Sequence, residues 1–409
     1  MAEAVSGVCV PPEGTPLRSL VLPVAVTLAI QTLVAVAVTV AAVMAPVAGP
    51  DLGVPAAWIG YYIAIVYLGS MTGSIAAGTL VSRHGPIRTS QAGLVSCCVG
   101  LACAASSSLL PLVAVGAFFV GLGYGPTTPA SSQILVRATP PSLISVTFSV
   151  KQTGVPLGGA LAGALVPTLL LLVGWRWAAV AAGLACLLLA ILIQPARRQY
   201  DTGLRVPARL SLRSAFSPLG YVFRDRGIAE MAVASFVFGG TQITLVAYLV
   251  TFLTESFAMS LVLAGFVMAV SQVASVVGRV LWGFVADRLL SRRLMLGLLG
   301  VGMGLCSIAT VWASPAWPMW LLFLFATAFG ATAVGWNGVF LAEVARLAPP
   351  GKAGEATGGC MFFTFFGVVV SPPLFSQALS FGGSYAGAYA VFGVPALLTG
   401  LWLLFGRRR

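Results

Sequence analysis

The chain has 409 residues, of which 59% are hydrophobic and only 8% are charged, and its formal net charge is +12 at pH 7. A soluble globular domain carries about 25% charged residues because its surface faces water, so this composition excludes an ordinary soluble protein. One histidine and seven cysteines without metal-ligand spacing exclude most metal chemistry. We therefore expect a multi-pass integral membrane protein with no metal and no cofactor.

Twelve apolar segments follow one another along the chain, each long enough for a helix that crosses a bilayer. They cover residues 18–45, 57–81, 89–107, 109–135, 142–169, 176–194, 228–254, 260–286, 293–313, 317–345, 356–381 and 384–405. A polar stretch divides them near the middle of the chain. The predicted fold is all-α. Its parts are a tail (1–17), a six-helix bundle (18–194), a linker (195–227), a second six-helix bundle (228–406) and a basic C-terminus (407–409).

Nearly all of the 22 Lys and Arg residues fall in loops on one side of these segments; Arg176 lies on the other side, and Lys151 and Arg279 lie inside segments. Because Lys and Arg concentrate in short cytoplasmic loops, both termini are predicted to be cytoplasmic. The positive charge then meets anionic membrane lipids and does not indicate nucleic-acid binding. The composition, rich in Ala and Arg and poor in Lys, suits a bacterial cytoplasmic (inner) membrane.

Three pairs of short motifs recur about half a chain length apart. They are Gly78–Arg83 with Gly283–Arg288, Arg137–Pro141 with Arg346–Pro350, and Gln31 with Gln242. Each pair occupies equivalent places in the two bundles, which indicates two halves in parallel repeat. Transporters built on this plan bind substrate between the halves, near the middle of the membrane.

The loop after the second segment resembles the signature loop of the major facilitator superfamily, approximately Gly-x-x-x-Asp-Arg-x-Gly-Arg-Lys. The resemblance implies a twelve-helix transporter whose cytoplasmic side is gated by the two copies of this loop. The matching residues are Gly78, Arg83, Gly85 and Arg88 in the first copy, with Ser82 in place of the acid, and Asp287 and Arg288 in the second. Gly278–Gly283 also resembles the eighth span of the monocarboxylate and oxalate/formate exchangers, which implies that Arg279 contacts a substrate carboxylate.

Lys151 and Arg279 lie at similar depth in the fifth and eighth segments, with no Asp or Glu comparably deep. A charged side chain at that depth costs about 2.5–3.5 kcal/mol on insertion scales, so each cation requires a partner. The pattern predicts a positive cavity that binds an anion. Further candidate substrate contacts are the mid-span polar residues Gln31, Tyr124, Gln242, Tyr248, Gln272 and Asn337. As alternatives, Lys151 reaches the membrane surface as an anchor, Arg279 pairs with a helix end or with Glu343, and the glutamines join helices.

Glycine and proline residues in the fifth segment predict a hinge. Pro156 removes one backbone hydrogen bond, and Gly154, Gly158 and Gly159 allow close helix packing.

Taken together, these features predict a secondary transporter, not an enzyme, for a small organic anion such as a carboxylate, working by exchange or ion symport. The alternative is an efflux transporter for lipophilic or cationic compounds, but such a protein should carry a deep carboxylate in its first six segments. The expected partners are the substrate and membrane lipids, without nucleic acid, and we expect a functional monomer.

Overall fold

A computed structural model describes residues 17–140, 144–202, 222–348 and 353–406. The regular elements among these residues are all helices, with no β-strand. The first half contains α1 (Leu17–Asp51), α2 (Ile59–His84), α3 (Pro86–Ala105), α4 (Leu110–Tyr124), α5 (Thr127–Ala138), α6 (Ile144–Gln152), α7 (Gly154–Leu192) and the short α8 (Arg197–Tyr200). The second half contains α9 (Arg226–Ser256), α10 (Leu261–Arg288), α11 (Arg292–Ala309), α12 (Met319–Ala333), α13 (Asn337–Leu347), α14 (Ala353–Gly382) and α15 (Tyr385–Phe405).

Ten helical stretches within the described ranges are long and apolar enough to cross a membrane. The longest, Val150–Tyr200, has 51 residues and contains a sharp bend at Gly174, where φ is 80° and ψ is 163°. Only glycine adopts this backbone conformation readily, so the bend separates the predicted fifth and sixth segments. The predicted all-α membrane fold is confirmed, whereas the count of twelve and the side of the termini stay predictions.

Three predicted segments are interrupted in the structure. The fourth consists of α4 and α5, the fifth of α6 and the first part of α7, and the tenth of α12 and α13. Pro126 lies in the first interruption and Pro156 just after the second, and the missing N–H of each weakens the helix there. The fourth and tenth segments occupy equivalent places in the two halves, so their breaks are equivalent too.

The two halves contact each other through helices that lie close together at glycine residues. A Cβ on Gly163 of α7 would lie 2.5 Å from the carbonyl oxygen of Gly265 in α10, and a Cβ on Gly60 of α2 would lie 2.4 Å from that of Pro372 in α14. The predicted repeat relates the second segment to the eighth and the fifth to the eleventh. The contact between the fifth and eighth segments is therefore the counterpart of the contact between the eleventh and second segments, as expected of two equivalent halves.

We predict that Gly121→Ala in α4 separates α4 from α2 and destabilises the protein. The added Cβ would lie 1.8 Å from the carbonyl oxygen of Val66, a backbone atom that cannot rotate away. Overpacking of this kind costs about 1–3 kcal/mol or more. The measurement is the temperature at which half of the detergent-solubilised protein leaves its monodisperse peak in size-exclusion chromatography. Gly283→Ala is the control, since its Cβ meets nothing within 4 Å; equal midpoints for the two variants would contradict the packing described.

Candidate functional site

Arg279 lies at the interface between the two halves and is hydrogen-bonded to both. Its Nε donates to the carbonyl oxygen of Val334 in the second half at 3.2 Å, and its Nη1 donates to that of Gln152 in the first half at 3.1 Å. The side chain remains partly exposed. A single guanidinium therefore connects the two halves through main-chain oxygens.

Both of these carbonyl oxygens lie at helix breaks. Pro156 has no N–H, so it cannot donate to Gln152 four residues earlier, as a regular helix would require. Val334 directly follows the end of α12, and α13 begins only at Asn337. The interruptions in the fifth and tenth segments thus leave main-chain acceptors for Arg279.

Lys151 lies in the fifth segment directly before Gln152, whose carbonyl oxygen Arg279 contacts, and Lys151 is 1% exposed. Its Nζ donates to Thr128 Oγ1 and to Gln152 Oε1, both at 3.3 Å. Thr128 in turn donates to Gln31 Oε1 at 3.5 Å, and Tyr124 lies near Gln31 and Arg279. Lys151 therefore belongs to the buried polar network and does not extend to the membrane surface.

On the other side of Arg279, Gln242 accepts two hydrogen bonds. Its Oε1 accepts from Trp336 Nε1 at 3.0 Å and from Asn337 Nδ2 at 3.1 Å. Asn337 Nδ2 also lies 3.4 Å from the Val334 carbonyl oxygen that Arg279 contacts. One network therefore joins six of the eight predicted substrate contacts: Gln31, Tyr124, Lys151, Gln242, Arg279 and Asn337.

No Asp or Glu side chain that the structure describes forms an ion pair with Lys151 or Arg279. The ion pairs lie elsewhere: Glu343 pairs with Arg346 at 2.6 Å, and Asp51 pairs with Arg176 at 2.6 Å. Of the two predicted alternatives for Arg279, the pair with Glu343 is absent from this arrangement, whereas contacts with helix ends are present at Val334 and Gln152. Within the described part of the chain, Lys151 and Arg279 form hydrogen bonds only with uncharged oxygen atoms.

Tyr248 and Gln272 lie outside this network. Tyr248 is fully buried, its hydroxyl donates to the carbonyl oxygen of Pro372 at 2.6 Å and lies 3.2 Å from that of Ala57, and its ring stacks on Phe375. These contacts join the halves at the end of the bundle opposite the arginine-rich loops. Tyr248 thus contacts main chain at this end, and its predicted contact with substrate stays a prediction.

Gln272 instead packs in the interface between α7 and α10. A Cβ on Gly159 would lie 2.4 Å from its Nε2, and its buried Oε1 has no hydrogen-bond partner. Gly158, one residue earlier, approaches α1, where a Cβ would lie 2.5 Å from the Thr32 carbonyl oxygen. Gly154 is close to Gln31 in the same way. The glycines around Pro156 thus let the fifth segment pack against one helix of each half, and their hinge role stays a prediction.

The first copy of the predicted gate contains Gly78, Arg83, Gly85 and Arg88, and it is held by a residue that the sequence did not suggest. The Asp201 carboxylate, which follows α8, accepts from the backbone N–H of Ile87 at 2.7 Å and of Arg88 at 3.2 Å, so it caps α3. Gly85, with φ of 92°, makes room for it, since a Cβ there would lie 2.4 Å from this carboxyl group.

In the second copy Asp287 pairs with Arg292 at 2.9 Å, inside the same loop, and the Arg288 guanidinium lies 5.8 Å from the Phe284 ring centroid. Every ion pair between described side chains lies within one half or its adjoining linker. These six loop residues therefore form no described salt bridge across the halves, and their gating role stays a prediction.

Thr128 and Trp336 are members of the network that sequence reasoning missed. Thr128 lies four residues after Tyr124 in the sequence, and Trp336 directly precedes Asn337. In the sequence, the feature that points to either residue is its closeness to a predicted substrate contact, Tyr124 or Asn337.

The sequence profile of the Major Facilitator Superfamily matches residues 27–372, most of the chain. The chain belongs to the major facilitator superfamily. It is therefore a membrane transporter and not an enzyme, as the sequence indicated. No curated protein sequence matches this chain.

Solved structures of this superfamily's fold are similar over nearly the whole chain. A variant of the nucleoside transporter NupG has a TM-score of 0.76 at 14% identity, covering 94% of this chain and 99% of its own. The peptide transporter POT in complex with sulfate has 0.74 at 16%, covering 93% of each chain. A bacterial homolog of the human lysosomal transporter Spinster, inward-facing and unoccupied, has 0.71 at 16%, covering 95% and 96%. At these identities the similarity shows the fold alone.

We predict that Tyr248→Phe loosens the closed end of the bundle, because it removes the hydroxyl that contacts main chain from both halves. Losing a hydrogen bond of about 1–1.5 kcal/mol raises the population of the open end up to about tenfold. The measurement is the labelling rate of Thr251→Cys, a 0% exposed position about one helical turn after Tyr248 in α9, by a membrane-impermeant thiol reagent. The seven native cysteines are first replaced by alanine.

Tyr385→Phe is the matched control, since the Tyr385 hydroxyl donates to Glu255 at 3.0 Å within the second half alone. Equal labelling in both variants would show that Tyr248 does not hold the halves together.

Proposed function

We propose that this chain is a secondary transporter that carries a small organic anion with a carboxylate group by alternating access. The observation that supports the proposal is the pair Lys151 and Arg279, two deep cations that the described residues solvate with neutral oxygens only. A buried charge is tolerated when it is paired, and here the described protein supplies no negative partner. A cargo carboxylate would supply that charge.

Both cations have hydrogen-bonding capacity left for such a cargo. A guanidinium has five N–H donors, and Arg279 uses two in contacts with Val334 and Gln152. An ammonium has three, and Lys151 uses two, each at a long distance of 3.3 Å. Arg279 presents a planar pair of donors that matches a carboxylate, and Lys151 adds a point charge. Thr128 is exposed and Arg279 partly exposed, so this region borders open space.

Alternating access requires that the substrate bind one arrangement of the halves more tightly than another. Lys151 belongs to the first half and Arg279 to the second, so a bridging carboxylate gains both contacts only when the halves approach around it. Like charges would oppose this approach when the site is empty.

The transport energy would come from solute gradients, by exchange or ion symport, and the two signature loops would gate the basic end. We further propose that the protein works as a monomer in a bacterial cytoplasmic membrane.

The second candidate, efflux of lipophilic or cationic compounds, is not favoured. A cation carrier requires a carboxylate at the site, and each described ion-paired carboxylate is engaged away from this network. The site as described would repel a cation.

We predict that Arg279→Gln and Lys151→Gln each reduce carboxylate uptake into proteoliposomes by about 10- to 100-fold at low substrate concentration. Hydrogen bonds to charged groups contribute about 1.5–3 kcal/mol, and 1.4 kcal/mol is about tenfold in binding. Uptake is measured for a panel of radiolabelled mono- and dicarboxylates and, in parallel, for cationic dyes. Arg176→Gln is the matched control, because Arg176 pairs with Asp51 far from the network.

Wild-type rates in both variants would overturn the anion site, and dye movement without carboxylate uptake would favour the second candidate. A pH gradient imposed on the same vesicles separates the two coupling modes. Proton symport is accelerated by an inward proton gradient, whereas exchange instead requires carboxylate inside the vesicles.

A further inference from the structure

The orientation of the Gln242 amide is determined by its neighbour Trp336. The indole N–H can only donate a hydrogen bond, so the Gln242 atom 3.0 Å from it must be the oxygen Oε1. The Gln242 Nε2 group, with its two N–H donors, therefore points away from Trp336.

The orientation of Asn337 follows from the same contact. Its Nδ2 donates to Gln242 Oε1 at 3.1 Å and lies 3.4 Å from the Val334 carbonyl oxygen, so both of its N–H donors face protein acceptors. Asn337 Oδ1 is then left as an acceptor. Neither Gln242 Nε2 nor Asn337 Oδ1 forms a hydrogen bond with any residue in the described part of the chain.

Both groups can reach a ligand. The Gln242 and Asn337 side chains are partly exposed, and Gly338, next in the chain, is exposed, with nothing within 4 Å of a Cβ placed on it. Three successive contacts of 3.1, 3.4 and 3.2 Å lead from Gln242 Oε1 through Asn337 and Val334 to Arg279 Nε. One free donor and one free acceptor therefore lie beside the proposed carboxylate site, on the side of the second half.

We infer that the cargo is a hydroxycarboxylate, whose hydroxyl accepts from Gln242 Nε2 and donates to Asn337 Oδ1. This inference rests on the proposed function, since the carboxylate of the same molecule occupies Lys151 and Arg279. A hydroxyl both donates and accepts, so it satisfies both amide groups. An ammonium only donates and would be repelled by the two cations. A second carboxylate only accepts and would leave Asn337 Oδ1 facing negative charge.

The test compares acids that differ in one group. Lactate, propionate and alanine carry a hydroxyl, a hydrogen and an ammonium on the same carbon, and 3-hydroxybutyrate with butyrate repeats the comparison with the hydroxyl one carbon further away. Each acid competes against radiolabelled lactate or 3-hydroxybutyrate for uptake by full-length protein in proteoliposomes. Because a site that hydrogen-bonds a hydroxyl rejects the analogue lacking it, we expect the hydroxylated acid of at least one pair to compete about tenfold or more better than its partner, and alanine to compete poorly.

Gln242→Leu and Asn337→Leu are each expected to remove this preference, so that the two acids of a pair compete equally, whatever the effect of the variant on the overall uptake rate. Gln91→Leu is the matched control, because among the described residues the Gln91 amide donates to Gln194 and to the Ala190 carbonyl oxygen, away from the site. Equal competition within both wild-type pairs would overturn the hydroxyl assignment while leaving carboxylate transport intact. A preference that survives in both variants would overturn it as well. If none of these acids, nor any in the carboxylate panel, is transported, the proposed function itself fails.

Discussion

The arrangement of the site depends on the two hydrogen bonds by which Arg279 holds one main-chain carbonyl from each half. Regular helices in the fifth and tenth segments would use these oxygens internally, so the helix breaks are what make them available. Pro156 explains the first break through its missing N–H. A cation at the interface can thus be held without a protein carboxylate, and it keeps its charge and its remaining donors for a ligand.

The two ends of the bundle differ in how the halves meet. At the end opposite the arginine loops, Tyr248 contacts Ala57 and Pro372, and Gln377 Nε2 donates to the Tyr61 hydroxyl at 2.5 Å, so both contacts join the halves. At the basic end, the described ion pairs stay within a half or its linker, and Asp201 caps α3 where the signature acid is replaced by Ser82. The contacts described here therefore favour closure at the Tyr248 end.

Sequence reasoning identified the all-α membrane fold and six of the residues that meet in the network, because both follow from local properties. Apolar segments need only length, and a deep cation such as Lys151 is costly wherever the chain folds. The acceptors of Arg279 could not be found this way, since every residue has a carbonyl and only the three-dimensional break shows which one is free. Tyr248 shares a helical face with Thr241 and Thr244, but its contacts depend on how far along the helix it lies. The spacing of polar residues in the sequence gives the face and not the position relative to the middle of the membrane. Asp201 was missed because the backbone N–H groups of Ile87 and Arg88 that it caps are more than a hundred residues away in sequence.

The most direct test of this account is an experimental structure of the protein with a bound hydroxycarboxylate. The account predicts carboxylate density within hydrogen-bond distance of the Arg279 guanidinium and on the side of Lys151, with the hydroxyl beside Gln242 and Asn337. Density for an Asp or Glu side chain of the protein on either cation, with the anion bound elsewhere or absent, would contradict it.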